Sequence, residues 1–278
     1  MNTVKIVAVL LLLNVSIYAE ETMIVAHRGA SREAPENTIP AFRLAWEQGA
    51  DAIEGDFYLT KDGHIVCIHD GNTKRVSSKN LVVGKSTLAE LRTLDVGAYR
   101  GEAFKGIVIP TIAEVFSTIP KQKKIYIEIK CGIEIIPALL KEISTSGLKI
   151  EQIVVISFNK KVIQELKAKA SQYKAFWLSG FKKDKFGKIT PSLETVLTTL
   201  KQIKADGFSS TKNIIDEVFV KSVMEKGFEY HVWTVDDAKT ARRFKKWGAK
   251  SIATNVPDHI REILCEQDAP ADTDKLRK

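Results

Sequence analysis

The chain has 278 residues, of which 44% are hydrophobic and 27% charged, and a formal net charge of +8. That composition supports a sizeable core and excludes a chain disordered throughout. The length suits either one α/β barrel, which takes ~250 residues, or two smaller domains.

Residues 1–19 read as a cleavable signal. Lys5 gives a positive start, residues 6–15 are apolar apart from Asn14, and Ala19 offers a small residue at a cleavage point. The apolar run is shorter than the ~20 residues a spanning helix needs. The mature protein is expected to be exported, periplasmic or secreted, with no transmembrane helix.

In chain order, residues 22–26 form a short apolar strand. The loop Pro35-Glu36-Asn37-Thr38 then enters a helix that Asn37 or Thr38 caps and Gly49 ends. Residues 52–59 are extended, Asp62-Gly63 is a tight turn, and 64–68 return as its partner strand. Residues 71–108 break the alternation. They hold polar loops around one helix at 87–94, far longer than the usual βα connection of ~2–6 residues. We expect an insertion over the site face.

Regular alternation then resumes. Strands are expected at 124–129, 153–157, 174–178, 205–208, 229–235 and 251–254. Helices are expected at 111–118, 133–146, 160–170, 192–203, 216–225, from Asp236 or Asp237 to Lys246, and 257–265. A basic loop spans 181–188, and the tail from Glu266 is polar. With 22–26 and 52–59 these make eight strands, each followed by a helix or a helix-bearing loop. That predicts a (β/α)₈ TIM barrel over 22–265, with a small insertion after the second strand. An open doubly wound sheet is the alternative; the absence of G-x-G-x-x-G after the first strand counts against its nucleotide-binding form.

Barrel sites gather at the carboxyl ends of strands. His27 and Arg28 follow the first strand. Glu54 and Asp56, two apart, share one face of the second. His69 ends the return strand. Glu128 and Lys130 share a face at the end of the third, and Trp233 ends the seventh. Three carboxylates in one barrel mouth suit a hard divalent cation; equally, lysines could pair them. The histidines suit acid–base work or a structural role. Arg28 offers a planar fork for phosphate oxygens and Lys130 a compact charge. Together these parts suit cleavage of a phosphodiester. His64, His231 and His259 receive no role.

The remaining lysines lie on helix faces and loops without a DNA- or RNA-binding motif, so no nucleic-acid partner is expected. Three cysteines (Cys67, Cys131, Cys265) are an odd number for an oxidising compartment. Buried thiols are expected, with a Cys67–Cys131 pair as the alternative. Nothing in the pattern specifies an oligomer.

The sequence resembles the glycerophosphodiester phosphodiesterase family. The resemblance is carried by His27-Arg28-Gly29, Pro35-Glu36-Asn37-Thr38, the run from Gly49 to Asp56, Thr60-Lys61-Asp62-Gly63, His69-Asp70, Glu128-Ile129-Lys130 and Val232-Trp233-Thr234-Val235. It extends over about residues 23–264. It implies a TIM barrel with an insertion and one divalent metal ion, Ca²⁺ or Mg²⁺, on Glu54, Asp56 and Glu128. It also implies His27 and His69 as the acid–base pair, with Arg28 and Lys130 near the phosphate. Trp233 is expected to touch the substrate. The implied reaction releases glycerol 3-phosphate and an alcohol, with the neighbouring glycerol hydroxyl able to act as nucleophile through a cyclic intermediate.

Three positions depart from the family pattern. Gly55 stands between the two acids where an apolar residue is common, which should affect packing rather than ligation. Asn255 replaces the usual Asp after the last strand. Asp236 stands where Asn is common. Rival readings are a lysophospholipase D or sphingomyelinase D-like activity on lipids, and a non-catalytic phosphodiester-binding protein.

Overall fold

A computed structural model describes residues 21–265; the expected signal, 1–19, and the polar tail, 266–278, lie outside them. Eight parallel strands close on themselves. They are β1 (Met23–His27), β2 (Ala52–Leu59), β3 (Lys124–Ile129), β4 (Ile153–Ser157), β5 (Lys174–Ser179), β6 (Gly207–Thr211), β7 (Glu229–Trp233) and β8 (Ser251–Thr254). Each pairs with its neighbour in sequence, and β1 pairs with both β2 and β8. That double pairing excludes the open sheet. A helix follows every strand, from Ile39–Glu47 after β1 to Pro257–Cys265 after β8. Among the described residues no helix is long and apolar enough to cross a membrane.

Period-two alternation divides each strand between two cores. Val25, Ala52, Tyr126, Val154, Ile156, Phe176 and Leu178 fill the barrel interior. Their neighbours Ile24, Ile53, Ile125, Val155 and Ala175 face outward, against the helices. His231 sits inside the barrel, stacked on Phe176 at 4.1 Å, with Nδ1 2.8 Å from Ser251 Oγ.

The strand after β2 explains how one hairpin serves the site. β2 pairs with β3 as far as Phe57 and then rises above the barrel rim. Ile65–Cys67 returns antiparallel to it, with Leu59 opposite Ile65 and Phe57 opposite Cys67. Ile68 N donates to Asp56 O at 2.8 Å, so His69 comes back down to the level of Asp56. The insertion then builds a small core of its own from Val76, Val83, Leu91, Leu94, Val96 and Ile109, packed on Val66 and Ile68.

Several expected boundaries move. The 205–208 strand is Gly207–Thr211, because the helix ends at Gln202 as a turn takes up 203–206 before the chain enters the sheet. The seventh strand stops at Trp233, where pairing with β6 ends. The helix at 87–94 contracts to Leu88–Leu91, capped by Thr87, among 3₁₀ turns. The basic loop at 181–188 forms part of a hairpin, with Lys182–Lys183 paired to Ile189–Thr190. All three cysteines are free, and only Cys67 is buried; Cys131 is half-buried and Cys265 exposed. Their burial follows position: Cys67 ends the return strand and packs into the core between barrel and helices, whereas Cys131 follows β3 and Cys265 ends the last helix.

Candidate active site

The site is built at the carboxyl ends of β1, β2 and β3. β1 pairs His27 with Glu54, and β2 pairs Asp56 with Glu128, so the strand register stacks the candidate residues side by side. After His27 the backbone turns through two left-handed residues, Arg28 (φ 58°) and Gly29 (φ 81°). A Cβ on Gly29 would lie 2.6 Å from the backbone of Ala41, so only glycine lets the turn press against the first helix. The turn aims Arg28 N at Glu54 Oε2, 2.9 Å away.

Glu54, Asp56 and Glu128 are all buried, and each offers an oxygen within 4.8 Å of the others. Two cations face them. Lys130 Nζ lies 2.7 Å from Glu128 Oε1 and 3.3 Å from Asp56 Oδ1. Arg28 Nε lies 3.3 Å from Asp56 Oδ2, an ion contact without hydrogen-bond alignment. Burial, then the charges of Asp56 and Glu128, push the Glu54 carboxyl well above its usual range. Burial and Asp56 push Glu128 up to about 7, against the pull of Lys130. Burial opposes ionisation of Asp56 too, but Lys130 and Arg28 outweigh it and hold that carboxyl below its usual range.

This cluster fits a divalent cation. Glu54 Oε1 is buried and has no hydrogen-bond partner, although it sits among other carboxylate oxygens. A buried carboxylate oxygen left unpaired is costly. With all three ionised, as cation binding requires, three carboxylates against two cations leave one net negative charge, which would repel a phosphodiester anion. A divalent cation reverses that sign.

The histidines are each fixed through Nδ1. His27 Nδ1 lies 2.8 Å from Asn255 Oδ1. Asn255 is itself oriented, because its Nδ2 donates to Asp236 Oδ2 at 2.7 Å and its N to Asp236 Oδ1 at 2.8 Å. Ser31 Oγ also donates to Asn255 Oδ1, at 2.8 Å. The oxygen facing His27 is therefore an acceptor, so the proton sits on Nδ1 and Nε2 is the free ring nitrogen. Burial and then the Arg28 charge hold the His27 imidazole below its usual pKa. His69 Nδ1 lies 2.7 Å from Asp70 Oδ1, which likewise leaves its Nε2 free.

A cavity of ≈ 120 Å³ opens on these groups. His27, Arg28, Glu54, His69, Glu128 and Lys130 make one wall; Ile156, Phe158, Leu178 and Trp233 make much of the other. Trp233 meets Phe158 edge-on at 5.5 Å. Asp56 lies behind the wall, within reach of the other two acids. All eight sequence-predicted residues thus converge.

The loop Pro35-Glu36-Asn37-Thr38 does more than start a helix. Thr38 is the cap, accepting from Ala41 N. Asn37 clamps Asp56 at two points: its Nδ2 donates to Asp56 Oδ2 at 2.8 Å, and its Oδ1 accepts from Asp56 N at 3.0 Å. Glu36 binds Arg28 at 3.1 Å and takes both Nη atoms of Arg75 at 2.8 Å. Arg75 Nε also donates to Asp70 Oδ2 at 2.8 Å. One insertion side chain therefore ties the partner of His69 to the partner of Arg28. Sequence reasoning missed Glu36, Asn37, Arg75 and Phe158 as site residues. The first two stand in a motif that reads locally as no more than a helix start.

The two departures at β7 and β8 explain one another. Asp236 and Asn255 touch, so the acid and the amide have exchanged places and the pair keeps its single charge. Asn255 is also the partner of His27. Gly55 lies on the outer face of β2, where a Cβ would come within 3.1 Å of Cys67 Sγ and 3.2 Å of Phe42, so its effect is on packing.

Residues 27–259 match the model of the glycerophosphoryl diester phosphodiesterase family. A glycerophosphodiester phosphodiesterase of Caldanaerobacter subterraneus subsp. tengcongensis is 36% identical over 249 residues, spanning 88% of this chain and 98% of that protein. A phosphodiesterase of Oleispira antarctica, solved in complex with the product sn-glycerol-3-phosphate, has a TM-score of 0.80 at 25% identity, covering 89% of this chain and 98% of that one. A glycerophosphodiester phosphodiesterase from Agrobacterium tumefaciens has a TM-score of 0.71 at 27% identity, covering 87% and 99%.

Proposed function

The chain belongs to the glycerophosphoryl diester phosphodiesterase family, and from that premise we propose that it hydrolyses glycerophosphodiesters to glycerol 3-phosphate and an alcohol. The observation that carries the reading is the convergence around one cavity of two histidines, two cations and three buried carboxylates.

Glu54, Asp56 and Glu128 would hold one divalent cation, Ca²⁺ or Mg²⁺, both of which take carboxylate oxygens. Such an ion, when bound, supplies electrophilic stabilisation of charge on the phosphate. Arg28 and Lys130 add positive charge beside the same carboxylates, so the anionic diester meets a positive wall. Nε2 of His27 and Nε2 of His69 are the nitrogens left for proton transfer. One takes the proton from the attacking glycerol hydroxyl and the other returns one to the leaving alcohol; water then opens the cyclic ester to glycerol 3-phosphate, with the two proton movements reversed. Phe158 and Trp233 offer an apolar surface to the carbon skeleton of the substrate. Residues 1–19 support export to the periplasm or the medium.

The test is choline release from glycerophosphocholine and from lysophosphatidylcholine, with Ca²⁺, Mg²⁺ or chelator. We expect turnover of the first substrate that ceases on chelation. His27→Ala and His69→Ala should each lose at least ~100-fold in kcat. Undiminished hydrolysis by either variant, or after exhaustive chelation, refutes the mechanism. Preference for the lysolipid would move the substrate class to lipids.

A further inference from the structure

The mouth of the barrel carries a second feature that the hydrolytic reaction does not use. Between β5 and the helix Leu193–Gln202 the chain throws out the hairpin of Lys182–Lys183 and Ile189–Thr190. Its tip presents Phe186, 83% exposed, where a large aromatic ring has no packing partner of its own fold. Lys182, Lys183, Lys185 and Lys188 surround it, all exposed and none in an ion pair among the described residues. Lys185 Nζ lies 5.0 Å from the Phe186 ring. The hairpin's one acid, Asp184, is spent inside the turn, accepting from Phe186 N and Lys188 N at 2.9 Å.

The apolar character continues at the hairpin base. Ile189 lines an open groove of ≈ 230 Å³ with Leu193, Ile214, Val218 and Phe219. Ile214 is 43% exposed and Val218 70%. The loop after β6 brings Ile214 there, and the hairpin follows β5, so both stand at the carboxyl ends of strands. That is the face on which the cavity opens.

We propose that this hairpin and groove dock the barrel mouth against an anionic lipid bilayer. An exposed aromatic ring among unpaired lysines suits the boundary between headgroups and acyl chains, where the ring enters the interface and the ammonium groups meet anionic headgroups. A neutral apolar protein partner would leave the four lysines without counter-charge. A soluble anion would leave Phe186 and Val218 in water. The bilayer matches both properties at once, and it aims the cavity at the lipid surface. The proposal stands on the hairpin and groove, independently of the reaction.

The experiment is co-sedimentation of the chain from Glu20 onward with unilamellar vesicles. That chain keeps the whole closed barrel and lacks the apolar run at 6–15, which would partition into lipid by itself. Vesicles of phosphatidylcholine alone are compared with vesicles holding ~30% phosphatidylglycerol, at low and high salt. Attraction of the lysines to an anionic surface is screened by salt, so we expect binding only to the anionic vesicles, lost at high salt. The variant with Lys182, Lys183, Lys185 and Lys188 all changed to Gln should bind at least ~50-fold less. Phe186→Ser should bind about fivefold less. Both should keep the parent's circular dichroism spectrum and melting temperature, which shows that the barrel has folded. Equal binding to neutral and anionic vesicles, or wild-type binding by the four-lysine variant, overturns the proposal. A dimer in sedimentation equilibrium that Val218→Ser dissolves would assign the face to a second copy and overturn it as well.

Discussion

Exchanging Asp236 and Asn255 tests whether these residues act as one unit behind His27. In the native arrangement Asn255 Nδ2 donates to Asp236 Oδ2 at 2.7 Å, and Asn255 N and Thr254 Oγ1 both donate to Asp236 Oδ1. Asn255→Asp alone puts two carboxylates at that separation. At an effective permittivity of ~20 the bare repulsion is about 6 kcal/mol. Arg32, 3.6 Å from Asp236, and uptake of a proton reduce it, so we expect a loss of about 2–3 kcal/mol. Asp236→Asn alone weakens three charge-assisted hydrogen bonds and should cost about 1–2 kcal/mol. The double exchange restores one acid and one amide. The amide introduced at 236 can then donate to the carboxylate introduced at 255, the reverse of the native bond. The double variant should lie within ~1 kcal/mol of the parent, a coupling of at least ~2 kcal/mol. Urea unfolding of the four proteins, with m-values compared, measures this. A double variant whose loss equals the sum of the two single losses would falsify the pairing.

Arg75→Ala should lower kcat by about 10–100-fold with little change in melting temperature, because its ion pairs are partly exposed while it holds Glu36 and Asp70, the partners of Arg28 and His69. Arg75→Lys should not rescue it, since one ammonium cannot reproduce the fork; full kcat in either variant would refute the positioning role. His231 gives a pH signature. Burial holds its folded pKa below 6.5, and the Glu229 contact at 3.5 Å does not reverse this. The unfolded chain therefore binds the proton first, so the stabilisation is full above about pH 7 and is lost as pH falls below about 6.5. Between pH 7 and 5.5 the parent should lose more stability than His231→Gln in urea unfolding; parallel losses would show that His231 is not kept neutral. Glu229, held at about 2 by His231 and Lys174 against its burial, contributes only at lower pH: its stabilisation is present above about 4.5 and lost as pH falls through about 2.

The alternation of strands and helices determined the barrel, because period-two and period-3.6 patterns are local properties of the chain. The acids Glu54, Asp56 and Glu128, both histidines, and Arg28 and Lys130 were legible for the same reason: strand-end position and i, i+2 spacing determine face and height. The residues that support them were not. Asn37 holds Asp56 across 19 positions, Asn255 holds His27 across 228, and Arg75 reaches Glu36 across 39. Such contacts depend on how the first helix, the insertion and the closing strand pack, and no local period encodes that. In the sequence Asp236 and Asn255 stand as two separate departures. Barrel closure places β8 beside β1, brings Asn255 against both Asp236 and His27, and makes the two departures a single shared charge.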